Sequence, residues 1–359
     1  MNGQKVISIG ENIAMTNFAF PQNAVLELTY RCNQKCKFCS CPWENTEKPS
    51  LYYERREELS IEEWKKALKL LERSGVINVT ISGGEALLKE GMDELLFYIR
   101  KNTGLNQDMK IIIISNAAVM NEDYVRLFKE VNAHLSLSLP GLATFSYHVG
   151  TSFNSPDNVL HWLQRASEEK IETTVNVTVT QKNYHELYET VANGLIAGAG
   201  TVLINRFLVG GRGLTYQAEL SLSKDELRGL LNIIEKVLTI SKRFGSVGTE
   251  YPLCLIPKGD KQNKMLRIGS RCAAANGFFV VDPSGYIRTC NHSPKRVGHV
   301  FNEPIISDDD YWNIFAHRTF ELPEMCKSCK FKNDCDYGCR EAAAICHGSL
   351  SAPDPCFVG

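Results

Sequence analysis

Leu26-Glu-Leu-Thr-Tyr-Arg-Cys32-Asn-Gln-Lys-Cys36-Lys-Phe-Cys39 joins a strand-forming run to three cysteines at C-x3-C-x2-C spacing. Three thiolates from one short loop suit a four-iron cluster in which one iron keeps an open position. An amine and a carboxylate on one small molecule can chelate that iron. The competing reading is a zinc knuckle completed by Cys41. A closed zinc site takes four tetrahedral ligands, and Cys41, two residues past Cys39, is awkwardly spaced for the fourth. Short cysteine patterns also arise by chance, so the rest of the chain has to decide.

Outward from this loop, strand-length apolar runs alternate with helix-periodic segments, the pattern of βα units on a parallel sheet. Six strands are predicted: Ala24 to Tyr30, Val76 to Ile81, Lys110 to Ser115, Ala133 to Leu139, Glu172 to Thr180 and Thr201 to Phe207. Ser60 with Glu63 forms a capping box before a helix that stops near Gly75, and Pro156 after Ser155 suits a first helical turn. Ser223 with Glu226 opens another helix, predicted to end near Phe244 and Gly245. Six units are too few to close an eight-stranded barrel. The expected fold class is therefore α/β, a partial (β/α)6 TIM-like barrel with its functional loops at the carboxyl ends of the strands. After residue 245 the chain turns cysteine-rich and loses helical period, which places a domain boundary there.

The 359 residues leave room for an enzyme core and an accessory module. Forty Lys and Arg against 41 Asp and Glu give a net charge of −1, with no basic run to suggest nucleic acid as a partner. Neither a signal-peptide h-region nor a membrane-spanning apolar stretch is present in the sequence, so a cytoplasmic protein is expected. Thirteen cysteines in that compartment point to metal ligation before disulfides.

The second predicted strand ends in Ile81-Ser82-Gly83-Gly84-Glu85. Together with the cysteine loop one unit earlier, this resembles the radical SAM family, whose G-G-E motif receives the amino group of S-adenosylmethionine (SAM). Glycines at a strand end let backbone approach a ligand, and a carboxylate can accept from an ammonium. The resemblance implies Cys32, Cys36 and Cys39 as ligands of a [4Fe-4S] cluster, with Phe38 near the adenine. It also brings Ser115, Asn116 and Ser138 at later strand ends toward the ribose and carboxylate, positions that ordinary turn residues also fill. Relatives often read S-L-D-G and then carry an acidic residue and an arginine. This chain has Pro140 instead, leaving His148, Arg206 and Arg212 as candidate substitutes or as structural residues.

Downstream, Cys272-x12-Gly285-x4-Cys290 and Cys326-x2-Cys329-x5-Cys335-x3-Cys339 resemble the SPASM domain, with Cys346 or Cys356 as the last cysteine and Cys356 the better spaced. A zinc ribbon on Cys326 to Cys339 is the alternative. The resemblance implies a radical SAM core over residues 1–245 and a small cysteine-rich iron-sulfur domain over 246–359. In that domain Cys254, Cys272, Cys290 and Cys339 would hold one auxiliary [4Fe-4S] cluster, and Cys326, Cys329, Cys335 and Cys356 a second. Eleven of the thirteen cysteines are then used, leaving Cys41 and Cys346.

Family chemistry implies a 5'-deoxyadenosyl radical that abstracts hydrogen from an unactivated carbon, fed by a flavodoxin- or ferredoxin-type electron donor. SPASM enzymes act mostly on ribosomally made precursor peptides, by crosslinking, epimerisation, oxidation or backbone excision; a radical SAM dehydrogenase or rearrangement enzyme for a small molecule would share both modules. Sulfatase-maturing relatives place an aspartate base after the cysteine of G-x4-C. Here Asn291 stands in that place, and an amide cannot take the proton. His292 is read as an exposed residue. About twenty residues precede the first strand, too few for a fused leader-binding domain, so the leader is expected to bind a separate protein or this protein's own surface.

Overall fold

The computed structural model describes residues 20–45, 53–256, 265–306 and 309–357. Its centre is a run of parallel strands in chain order: β1 (Asn23–Glu27), β2 (Asn78–Ser82), β3 (Ile111–Ser115), β4 (Ala133–Ser138), β5 (Glu172–Val179) and β6 (Thr201–Arg206). Helices α1 (Ile61–Arg73), α2 (Met92–Asn102), α3 (Glu122–Glu130), the short α4 (Phe145–Val149), α5 (Pro156–Glu168) and α6 (Leu187–Ile196) fill the crossovers. The short α7 (Gln217–Leu220) and the long α8 (Lys224–Ser241) follow β6. Ser60 and Glu63 close a reciprocal capping box on α1, Ser223 and Glu226 close another on α8, and Pro156 stands in the first turn of α5.

The parallel sheet runs further than six strands. β7 (Phe244–Val247) pairs with β6 and β8 (Leu266–Arg267) with β7, both parallel. α8 stops at Ser241, with Lys242 at φ 54° as its left-handed cap, so Phe244 and Gly245 begin a strand where the sequence suggested a helix end. Phe244 is 62% exposed. A short strand that buries little carries little apolar period to read.

On the opposite edge, β9 (Phe279–Val281) runs parallel to β1, followed by antiparallel β10 (Tyr286–Arg288) and β11 (Arg296–His299). The cysteine-rich part thus continues the barrel's own sheet, completed by α9 (Asp310–His317) and α10 (Arg340–His347). Side chains alternate across the strands. On β5, Thr173, Val175, Val177 and Val179 are buried, while Thr174, Asn176 and Thr178 are half-buried. Thr80, Ile114, Ser136, Thr174 and Leu203 line one cavity, which identifies the second set as the concave inner face. That face is polar: His134 Nε2 meets Thr174 Oγ1 at 2.7 Å, and Asn205 donates to Asn176 at 2.9 Å.

Candidate active site and cysteine groups

A pocket of about 720 Å³ lies at the carboxyl ends of β1 to β4. Cys32, Cys36, Cys39, Phe38, Gly83, Gly84, Glu85, Ser115, Asn116 and Ser138 all line it, together with Cys41, Trp43, Glu44, Pro140 and Arg212. Close backbone approach builds its wall. Gly84 N donates to Thr29 O and Glu85 N to Arg31 O, both at 2.8 Å. A Cβ on Gly84 would stand 2.4 Å from Arg31 O, and Gly83 takes φ +144° with its own Cβ position 2.9 Å from Thr29 O.

Glu85 is buried, and its carboxylate is largely used within the protein. Oε1 accepts from Leu87 N at 3.1 Å and Ser115 Oγ at 2.9 Å, and Oε2 accepts from Asn116 N at 2.8 Å. Burial nonetheless raises its pKa. The expected acceptor for an ammonium is therefore first a strut tying the β2 end to the β3 end, with only Oε2 left room for another donor. Asn116 donates to Asn33 Oδ1 at 2.8 Å. The Asn33 Nδ2 and Gln34 Nε2 amides are buried without a partner beside the same loop. Unsatisfied buried donors of this kind fit a polar ligand.

The cysteine loop is gripped from outside. Lys35 N and Lys37 N donate to Val149 O and His148 O of α4, and Gly213 N donates to Cys39 O. Gly211 sits at φ +50°, where a Cβ would meet Cys41 O at 2.4 Å. Arg212 donates to Cys36 O at 3.2 Å and ion-pairs with Glu44. The glycine-rich run Gly210 to Gly213 thus serves as a clamp on the loop, a role its composition hinted at and sequence reasoning left unassigned. Burial pushes the Cys32 thiol up to about 11 and Cys36 well above its usual value, whereas a hydrogen bond with Cys41 holds Cys39 down. Iron must displace protons to bind such a loop.

Other candidates resolve differently. His148 is 0% exposed, with Nδ1 donating to Thr144 O at 2.9 Å and Nε2 paired with Thr180 Oγ1 at 2.8 Å, so it is a satisfied core histidine. Arg206 ion-pairs with buried Asp354 at 2.6 Å instead of facing the pocket. His292, expected at the surface, is buried. Its Nε2 donates to Val209 O at 2.8 Å, Nδ1 lies 3.5 Å from Cys339 Sγ, and burial lowers its pKa to about 4. Asn291 donates to Glu27 Oε1 at 2.9 Å, and Glu27 also pairs with buried Arg288.

In the C-terminal part the cysteines fall into two groups. Cys272, Cys290 and Cys339 lie within electrostatic reach of one another, their thiols raised by burial, Cys290 to about 12. Cys326, Cys329 and Cys335 form the other group. The SPASM resemblance groups Cys254 with Cys272, whereas Cys254 lies within electrostatic reach of Cys329 and Cys335. It follows Pro252 in a one-turn helix, and the long gap to Cys272 lets the two part. Cys356 approaches Cys254, and its N donates to Asp354 Oδ1 at 2.8 Å. Cys346 instead reaches Gln217 on α7 and packs near Phe207 and Leu220. Among the described residues no three His, Cys, Asp or Glu side chains gather as tightly as a single metal ion needs, and all thirteen thiols are free of disulfides.

Residues 26–192 match the family model described as the radical SAM superfamily. The match takes in the cysteine loop and the Gly83-Gly84-Glu85 strand end, and marks a radical SAM domain in this chain. Among its curated relatives, a PqqA peptide cyclase of Rhodopseudomonas palustris is 26% identical over 350 residues, covering 94% of this chain and 87% of that protein. The Bacillus subtilis subtilosin biosynthesis protein AlbA is 24% identical over 336 residues, covering 89% and 66%. Streptococcus suis SuiB bound to its precursor peptide SuiA superposes with TM-score 0.68 at 18% identity, over 94% of this chain and 75% of SuiB. The anSMEcpe structure with bound AdoMet and a peptide gives 0.69 at 16% identity, over 94% of both chains. These likenesses show the fold: the radical SAM partial barrel with a cysteine-rich C-terminal part. Radical SAM proteins use SAM and a [4Fe-4S] cluster, and the pocket of this one has the loop, the glycines and the orphan amides to fit both. Among the described residues no helix is long and apolar enough to cross a membrane.

Proposed function

We propose that this radical SAM protein modifies a ribosomally synthesised precursor peptide, its chemistry being a crosslink, an epimerisation, an oxidation or a backbone excision. The observation that carries the proposal is the continuity of the pocket with the inner face. Ile114 lines both the pocket at the strand ends and a cavity open along the inner face, so the two spaces adjoin and an extended substrate has room beside the cofactor site. Relatives named for peptide cyclisation and bacteriocin biosynthesis, and neighbours solved with peptides, support it.

Cys32, Cys36 and Cys39 hold the cluster, and Gly83, Gly84, Glu85, Ser115, Asn116 and Ser138 hold SAM against Phe38. Bound there, the two supply a 5'-deoxyadenosyl radical. The protein's share is to exclude water and to fix one carbon–hydrogen bond before that radical, where misplacement by about 1 Å is costly. Cys272, Cys290 and Cys339 hold part of one auxiliary cluster, and Cys326, Cys329, Cys335 and Cys356 form the site of a second. A flavodoxin- or ferredoxin-type donor, a separate leader-binding protein and a cytoplasmic location complete the reading. Asn291 gives its amide to Glu27, so the position after Cys290 supplies a donor and no base, which argues against sulfatase maturation.

The test is anaerobic turnover of the reconstituted protein with SAM, a reductant and the short peptide encoded beside its gene, read by mass spectrometry in ordinary and heavy water. Loss of two hydrogens means crosslinking or oxidation, deuterium uptake means epimerisation, and loss of a larger fragment means excision. Formation of 5'-deoxyadenosine over an untouched peptide would sink the peptide substrate and leave a small molecule in its place.

A further inference from the structure

Glu250 follows β7 in a segment pinned on both sides. Gly248 N donates to Ile204 O at 2.9 Å, Tyr251 N to Gly269 O at 2.7 Å, and Arg206 Nε to Glu250 O at 3.4 Å. The direction of its side chain is therefore set by the fold. Glu250 Oε1 is buried with no hydrogen-bond partner, and no ion pair involves the side chain among the described residues. Arg206, whose Nε reaches the Glu250 carbonyl, gives its terminal nitrogens to Asp354. An unpartnered buried carboxylate oxygen is costly, and a folded protein keeps one where something binds it.

The segment lies beside the first cysteine group: Arg206 joins the Glu250 carbonyl to Asp354, and Asp354 accepts from Cys339 N at 2.6 Å. The Glu250 charge is within electrostatic reach of Cys272, Cys339 and Cys290. Cys254, four residues on, is exposed and turned toward Cys329 and Cys335. We infer that the Glu250 carboxylate, and not the Cys254 thiol, is the fourth ligand at the auxiliary cluster site formed by Cys272, Cys290 and Cys339. Carboxylate oxygen is a competent iron ligand. It is a weaker donor than thiolate, so one auxiliary cluster has a higher potential than four cysteines would give it, in the sense that replacing thiolates by neutral nitrogen raises potentials elsewhere. The inference rests on the reading that the C-terminal cysteines hold iron-sulfur clusters.

The experiment compares the full-length, anaerobically reconstituted protein with its Glu250→Ala, Glu250→Gln, Glu250→Cys and Cys254→Ala variants. SAM is present throughout to protect the N-terminal cluster. Iron and sulfide are counted, a three-iron EPR signal is sought after mild oxidation, and the auxiliary potentials are titrated. Glu250→Ala and Glu250→Gln are expected to lose about one iron per chain and to gain the three-iron signal. Glu250→Cys keeps the full complement and lowers one auxiliary potential, a gain of signal that misfolding cannot mimic. Cys254→Ala matches the wild type. The assignment is overturned if Cys254→Ala gives the three-iron signal while the Glu250 variants do not, or if Glu250→Cys moves no potential. A wild-type protein that binds iron for the N-terminal cluster alone would overturn the auxiliary reading and this inference together.

Discussion

Gly84 is where one methyl group decides the pocket. Its Cβ position meets Arg31 O at 2.4 Å and Tyr30 O at 2.9 Å, both main chain, so nothing flexible can yield. Gly84→Ala is expected to push the β2 end off the cysteine loop and weaken SAM binding at least tenfold, about 1.4 kcal/mol, with loss of iron from the N-terminal cluster. Gly269→Ala, where a Cβ meets nothing within 4 Å, is the neutral control. Calorimetric SAM binding at wild-type strength in Gly84→Ala would disprove the steric argument. His148 gives a pH prediction. Burial lowers its pKa, and a proton on Nε2 would cost the bond from Thr180. Below about pH 6.5 the unfolded chain takes up a proton that the folded chain refuses. Stability is therefore complete above that pH and falls as pH drops, by at most about 1.4 kcal/mol per pH unit. His148→Gln should flatten the slope of urea midpoints between pH 5.5 and 7.5 relative to wild type. An unchanged slope would mean that His148 is protonated in the fold. The Gly83-Gly84 pair was legible as a close approach because it stands one βα unit after the cysteine loop; a glycine pair alone is a common turn signal. The burial of His148 and His292 was not, since a lone histidine carries no period.

At the scale of elements, the strands of the barrel and three helix starts could be read within a residue or two, apart from the end of β1, expected at Tyr30 and found at Glu27. Buried β-branched runs and S-x-x-E boxes are local signals whose physics is complete within a few residues. β7 and β8 escaped because a strand of two to four residues at the end of a sheet makes its bonds to a neighbour already in place and needs no apolar face of its own. The loop after β6 is a middle case. Its glycines announced a turn, but only the packing shows Gly211 against Cys41 O and Gly213 on Cys39 O. A turn signal names the backbone conformation and not the chain it will touch.

For the whole molecule, one carboxylate ties barrel to cysteine domain. Asp354 accepts from Arg206 of β6, from Cys339 N at 2.6 Å and from Cys356 N at 2.8 Å. Asp354→Ala would leave Arg206, 3% exposed, unpaired, at a cost of about 3–5 kcal/mol. It should also free the amides beside two proposed ligands. The expected outcome is a lower unfolding temperature and iron lost from the auxiliary sites, with the N-terminal cluster retained. Adding Arg206→Met should recover most of the stability and little of the iron; recovery of both would reduce Asp354 to an ion-pair partner. The sequence by itself determined the radical SAM resemblance and the position of the pocket on the strand ends, because C-x3-C-x2-C is a constraint closed within one loop. Only the tertiary structure decided that Cys254 comes within electrostatic reach of Cys329 and Cys335, that Glu250 Oε1 is buried without a hydrogen-bond partner, and that Arg206 is bound to Asp354. These positions lie across long loops whose ends are brought together by packing, and sequence spacing carries no information about that.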